Sequence, residues 1–182
     1  MSALRLINET TAIDGVTSVN VTDVFSADFD IYKIVANVDT SSITAVDVNL
    51  RLLNSSGSPI TSSVYDRAFL RMRMDTAFAE GRATNETGAL AMVSTTDQNP
   101  EGGNTVIWVF NPFSSSSYTF FLKQGMKAWS SVRASDKWIQ VAKTMRVLKQ
   151  VNSITGVCFY NGNGTDNFGG GTVKIYGLRV DS

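Results

Sequence analysis

Apolar and polar residues alternate with a period of two along most of this chain. The alternation is cleanest over 45–52, where Val46, Val48, Leu50 and Leu52 share one face and Asp47, Asn49 and Arg51 share the other. Successive side chains of an extended strand point to opposite faces, so this period predicts strands. The same pattern predicts strands over 16–21, 31–38, 70–75, 88–94, 106–110, 118–122, 139–148, 156–160 and 173–180. Within 70–75, Leu70, Met72 and Met74 oppose Arg71, Arg73 and Asp75. Apolar sets of this kind are expected to face a core, leaving Thr, Ser, Asn, Lys and Arg on solvated faces.

Turn-forming residues separate the segments. Asn54, Gly57 and Pro59 mark one turn, Asn111 and Pro112 another, and Asn161, Gly162, Asn163 and Gly164 a third. Gly169, Gly170 and Gly171 run directly into the last strand, and glycine tolerates the positive φ of such a turn. Leu4, Leu6 and Ile7 place a strand at the other end. Both ends are expected to be built into one body, with no tail for targeting or anchoring. No long window carries a helical period, although 77–80 and 126–129 each suggest a helical turn. About ten strands at regular spacing predict a β-sandwich or barrel. There is no linker and no repeat of fixed period, so one domain over 1–182 is expected.

Composition narrows the function. At 43% hydrophobic and 18% charged, the chain can fill a core and is light on charge. Sixteen basic residues balance 16 acidic ones, which argues against bulk attraction to nucleic acid or to an anionic membrane. The first residues lead into Asn8, Glu9 and Thr10 rather than an apolar run, so no secretory signal is expected. No segment approaches the length of a membrane span. The chain has no histidine and one cysteine, Cys158. That excludes Ser-His and Cys-His nucleophilic pairs, His-ligated zinc and an intrachain disulfide. Cys158 lies between Val157 and Phe159 and is expected to be a small buried hydrophobe.

The order of several short motifs resembles a known module. Leu6-Ile7-Asn8-Glu9-Thr10 opens the chain, followed by Phe25-Ser26-Ala27-Asp28-Phe29-Asp30-Ile31-Tyr32. Leu50-Arg51-Leu52-Leu53-Asn54-Ser55-Ser56-Gly57 comes next, then Asn111-Pro112-Phe113-Ser114, and Gly171-Thr172-Val173-Lys174-Ile175-Tyr176-Gly177 closes the series. This order resembles a module common in tailed bacteriophages, especially those of marine bacteria and cyanobacteria. There an opening xIN-x-T strand, an FSxxYDxY corner, an LYNPSS-like turn and a terminal GTIKLYGI strand recur. The corner is one residue longer here, and Phe113 interrupts the Asn-Pro-Ser turn. The resemblance spans nearly the whole chain. It implies an all-β, two-sheet antiparallel, jelly-roll-like sandwich. It also implies a virion structural protein of the tail-fibre or structural type, with no catalytic residues and no cofactor.

Candidate sites follow from the residues. Asp23 and Asp28 flank Phe25 and Phe29, so the acids are expected to cap turns while the rings enter the core. Trp108 sits in an apolar strand and is expected in the core. Trp129 and Trp138 flank the polar run 130–137 and suit a protein or a carbohydrate interface. Arg67, Arg71, Arg73 and Arg82 concentrate positive charge. They are expected on a solvated strand face paired with Asp66, Asp75 and Glu80, or in ion pairs between subunits. The loop from Asn161 to Asn167 is rich in oxygen ligands but holds one carboxylate, so an Asx-turn loop is favoured over a calcium site. The expected partners are copies of this chain and other virion proteins, without nucleic acid or membrane. Capsid decoration or cement, or a small tail adaptor, is the favoured place in the virion. The alternative is a tail-fibre module that binds host-surface carbohydrate. A glycan-degrading enzyme is a distant third, because the acids are few and scattered.

Overall fold

The alternating segments become twelve strands in a computed structural model, which describes residues 3–11, 13–40, 47–74, 78–90, 103–129 and 138–179. They are β1 (Ala3–Thr10), β2 (Ser18–Val21), β3 (Ile31–Thr40), β4 (Val48–Leu53), β5 (Tyr65–Arg73) and β6 (Ala79–Glu86). The remainder are β7 (Ala89–Leu90), β8 (Gly103–Phe110), β9 (Thr119–Trp129), β10 (Trp138–Leu148), β11 (Gly156–Asn161) and β12 (Phe168–Arg179). Two of these elements correct the sequence reading. Ala79 and Glu80 begin β6, and 126–129 continue β9, so neither place is a helical turn. In both cases pairing with a neighbouring strand overrides a weak local preference.

All pairing is antiparallel, in an eight-stranded sheet ordered β1-β12-β3-β8-β9-β10-β5-β6 and a four-stranded sheet ordered β2-β11-β4-β7. Removing β5, β6, β9 and β10 leaves a nested order. β1 pairs β12, β2 pairs β11, β3 pairs β8 and β4 pairs β7. A ribbon of such nested pairs, folded over so that its strands divide between two sheets, is a jelly roll. The protein is thus an all-β jelly-roll-like sandwich whose larger sheet is lengthened by two inserted hairpins. β5–β6 leaves the roll between β4 and β7, and β9–β10 leaves it between β8 and β11.

The core lies between the sheets. Tyr32, Ile34, Ala36 and Val38 of β3, with Ile107 and Val109 of β8 and Val173 and Ile175 of β12, cluster with Val48, Leu50 and Leu52 of β4 and Val157 and Phe159 of β11. Each fully buried aliphatic or aromatic side chain contributes about 1.5–3 kcal/mol. The rings of the Phe-Ser corner enter the core as expected, whereas Asp28 engages a hydroxyl rather than capping a turn N–H. Phe25 and Phe29 are buried and meet the Tyr32 ring edge-on at 4.6 and 5.7 Å. The Tyr32 hydroxyl closes the corner by accepting from the Ser26 N–H at 2.8 Å and donating to the Ser26 carbonyl at 3.0 Å. Asp28 accepts from the Ser26 hydroxyl at 3.1 Å. Gly170 and Gly171 enter β12 at φ 130°, where the register with β3 shifts. A side chain at Gly171 would also run into the Asn37 carbonyl.

Candidate functional site

The four inserted strands form an extension of the larger sheet beyond β8, and its two faces are arranged against expectation. A four-stranded sheet cannot cover an eight-stranded one. Near the roll the extension shares the core through Phe121, Leu148 and Tyr65, all buried. Farther along, the inward positions turn polar and cationic. Register shows this directly, because paired residues project on the same side of a sheet. On β5, Arg67, Phe69, Arg71 and Arg73 lie opposite Arg146, Thr144, Ala142 and Gln140 of β10. On β9, Phe121, Lys123 and Gly125 continue the same rows. Lys123 pairs with Ile107, whose side chain is in the core, so this is the inward face.

The opposite face carries the large apolar side chains. Leu70 is 60% exposed and Met145 65%, with Met72 and Met126 close to half exposed. Partly buried Val106, Trp108, Leu122 and Val141 lie on the same face and make with them a largely apolar band across β8, β9, β10 and β5, crossed in the row of Leu70 by exposed Lys143 and Gln124. Two shallow grooves of about 640 and 600 Å³ cross it, one beside Leu70 and Met145, the other beside Met72 and Met126. Leu70, Met72 and Met74 are thus exposed rather than buried, which corrects the face expected of this strand. Trp108 is corrected as well. It is half-buried on the outer face, with Lys33 Nζ 5.5 Å from its ring centroid, because its neighbours Ile107 and Val109 take the core side.

Beneath the band, Asp47, Arg67, Arg71, Lys123 and Arg146 line a pocket of about 200 Å³. Arg67 and Arg71 are half-buried, and Lys123 and Arg146 are 2% and 5% exposed. Arg67 does not pair with Asp66, because neighbours on a strand face opposite ways. Arg67 instead meets Glu86 at 3.2 Å, whose other oxygen is 3.6 Å from Arg146 Nη1, while Asp66 pairs with Lys149 at 2.9 Å. Burial pulls the Arg146 guanidinium down to about 10, opposed by Glu86 and reinforced by the like charge of Arg67. The Nε atoms of Arg67, Arg71 and Arg146, and Nη1 of Arg146, are buried without a hydrogen-bond acceptor. Arg71 thus lies in the pocket, and Arg73 follows it on the same face, opposite Gln140.

The other sequence candidates lie apart from this pocket or remain local. Trp129 and Trp138 are direct backbone partners at the loop end of the β9–β10 hairpin; the run 130–137 lies outside the described residues, as does Asp75. The 161–167 loop closes on itself. Asn163 Oδ1 accepts from the Thr165 and Asp166 N–H groups at 3.1 Å, its Nδ2 donates to Asp166 Oδ2 at 2.7 Å, and Asn161 Nδ2 donates to the Asp166 carbonyl. That is an Asx turn at Asn163, while Asn161 Oδ1 is buried without a hydrogen-bond donor. Among the described residues no group of three or more His, Cys, Asp or Glu could hold a metal. Cys158 is buried, and burial pushes its thiol up to about 11. Lys123, Arg146, Asp47 and Glu86 were not singled out by the sequence, where each is one charged residue among many. Only the strand register brings them together. No protein-family model matches the chain, and no curated protein matches it.

Proposed function

We propose that this protein is a structural subunit of a bacteriophage virion, working by docking on copies of itself and on neighbouring particle proteins. The observation that carries the reading is the apolar band on the outer face of the sheet extension. A soluble chain gains nothing by holding Leu70, Met72, Met126 and Met145 in water while arginines face inward, unless another surface covers the band. Its size is suitable. Four strands about 4.8 Å apart and roughly nine residues long give a footprint near 600 Å². A standard interface takes about 800 Å² from each partner, within reach once the flanking strands are included. Burying the exposed parts of these four side chains would stabilise a contact by roughly 4–6 kcal/mol per copy. A two-fold arrangement doubles that, enough to offset the entropic cost of association. The jelly-roll pairing and the motif order support the virion setting, as a decoration or cement subunit or a small tail adaptor.

A second reading is a tail-fibre module that recognises host-surface glycans. It is favoured by the backbone register that sets Trp129 opposite Trp138 where the β9–β10 hairpin turns, since tryptophan is a residue type that stacks on sugar rings.

Sedimentation across a concentration series tests the first reading. The native chain should sediment as an oligomer at micromolar concentration. Leu70→Asp should raise the dissociation constant at least a hundredfold, because a two-fold contact places the charge in the interface twice. A chain that stays monomeric at hundreds of micromolar, or a Leu70→Asp variant that assembles normally, would overturn it. A monomer that binds host-envelope polysaccharide would support the second reading instead.

A further inference from the structure

We propose that the pocket beneath the extension is an oxyanion-binding site, built for one phosphate, sulfate or carboxylate group. Four cationic side chains line it, Arg67, Arg71, Lys123 and Arg146, and Asp47 is the acid among its lining residues. Glu86 beside it is shared by Arg67 and Arg146. Guanidinium N–H groups kept from water without an acceptor are costly, and Arg146 is only 5% exposed. Its Nε and Nη1 lack acceptors, as do Arg67 Nε and Arg71 Nε, although Arg146 and Arg71 both front the cavity. Guanidinium forks match the oxygen spacing of carboxylates and tetrahedral oxyanions, so unused N–H groups from three arginines define one class of ligand. Thr144 and Gln140 on the same wall add neutral polar groups. A volume of about 200 Å³ admits a free oxyanion or a single acidic sugar ring, and excludes a polymer. The site is on the face opposite the apolar band, so it stands or falls independently of assembly.

The test is thermal unfolding and calorimetric titration of the full chain with inorganic phosphate, sulfate or glucuronate, against chloride at equal ionic strength. At a hundredfold excess over the dissociation constant, the melting temperature should rise by about 5–10 °C. The rise should saturate, unlike the general salting effect of sulfate and phosphate. A response to the inorganic ions alone identifies a free oxyanion; a response to glucuronate identifies an acidic sugar. Arg71→Met should weaken binding at least tenfold. Lys174→Met, which removes one positive charge from the Glu9 pair on the far edge, should leave it unchanged. Arg146→Met should match or exceed the native melting temperature in chloride and fall below it in saturating oxyanion. If Arg146→Met does not fold, Arg71→Met decides. A response that never saturates, or that is equal in native and Arg71→Met protein, overturns the site.

Discussion

Tyr65 fastens the β5–β6 hairpin to the roll, and its hydroxyl makes the fastening measurable. β7 covers only Asn49 and Leu50 of β4, which leaves Leu52 beyond its end. The Leu52 carbonyl is satisfied by the Ile60 N–H at 2.9 Å, and the Leu52 N–H donates to Tyr65 Oη at 3.1 Å. The hydroxyl donates onward to the Ile60 carbonyl at 3.3 Å. Tyr65 is fully buried, so Tyr65→Phe keeps the ring and strands the Leu52 N–H without an acceptor. A buried donor left unpaired costs about 1–3 kcal/mol. For a chain of this size that lowers the melting temperature by roughly 2–12 °C at pH 7.

The same hydroxyl fixes a pH signature. Burial holds it up at about 12, with the Leu52 hydrogen bond as a smaller opposing influence. A raised phenol favours the neutral form in the folded state. Its contribution is complete below the unfolded value near pH 10 and is lost as pH climbs from about 10 to 12. The loss is on the order of 3 kcal/mol, and Tyr65→Phe lacks it. The stability curves of native and variant protein should therefore converge or cross in that window. Denaturant unfolding from pH 7 to 12, with hydrogen exchange at the Leu52 amide, reads both effects. The reasoning fails if the variant melts within 1 °C of native at pH 7 with Leu52 protection unchanged. It also fails if the two curves stay parallel from pH 10 to 12.

Two further outcomes are expected. Gly171→Ala should destabilise by more than about 2 kcal/mol, because φ 130° strains an alanine and its Cβ meets the Asn37 carbonyl; a melting temperature equal to native would contradict the β12 register. Cys158 should resist thiol reagents in the native state at pH 8. Burial and a thiol pushed up to about 11 leave roughly a hundredfold less thiolate than in the unfolded chain; equal labelling rates with and without urea would refute its position.

Strand alternation made the roll legible because both sheets of the roll bury one face against the other. Val48, Leu50 and Leu52, or Ile34, Ala36 and Val38, could be assigned inward from period alone. A strand at each end was legible from apolar residues there, but that the first pairs with the last is seen only in the register. β6 was harder to see. Ala79, Gly81 and Ala83 offer little apolar contrast, and the Phe69 ring lying over Gly81 supplies the packing that the sequence of β6 lacks.

The extension was misread for a physical reason that bears on function. Period two reports that a strand has two unlike faces; it does not report which face the rest of the molecule covers. For Leu70, Arg71, Met72 and Arg73 the default assignment buries the leucine and methionine, and it holds only when the core of the same chain is the sole apolar surface available. Here β5 is paired to β10 at a register that puts Arg67 beside Arg146, with the rows leading to Lys123. Sliding β5 by one residue would bury Leu70 and Met72 but would expel Tyr65 from its seat against Leu52 and Ile60. The fully buried tyrosine fixes the register, and the arginines follow it inward. An arrangement that exposes apolar side chains and encloses guanidinium groups is unfavourable twice over for an isolated chain. It becomes favourable when one face meets protein and the other holds an anion. The two proposals account for the same inversion from its two sides, and each can fail while the other stands.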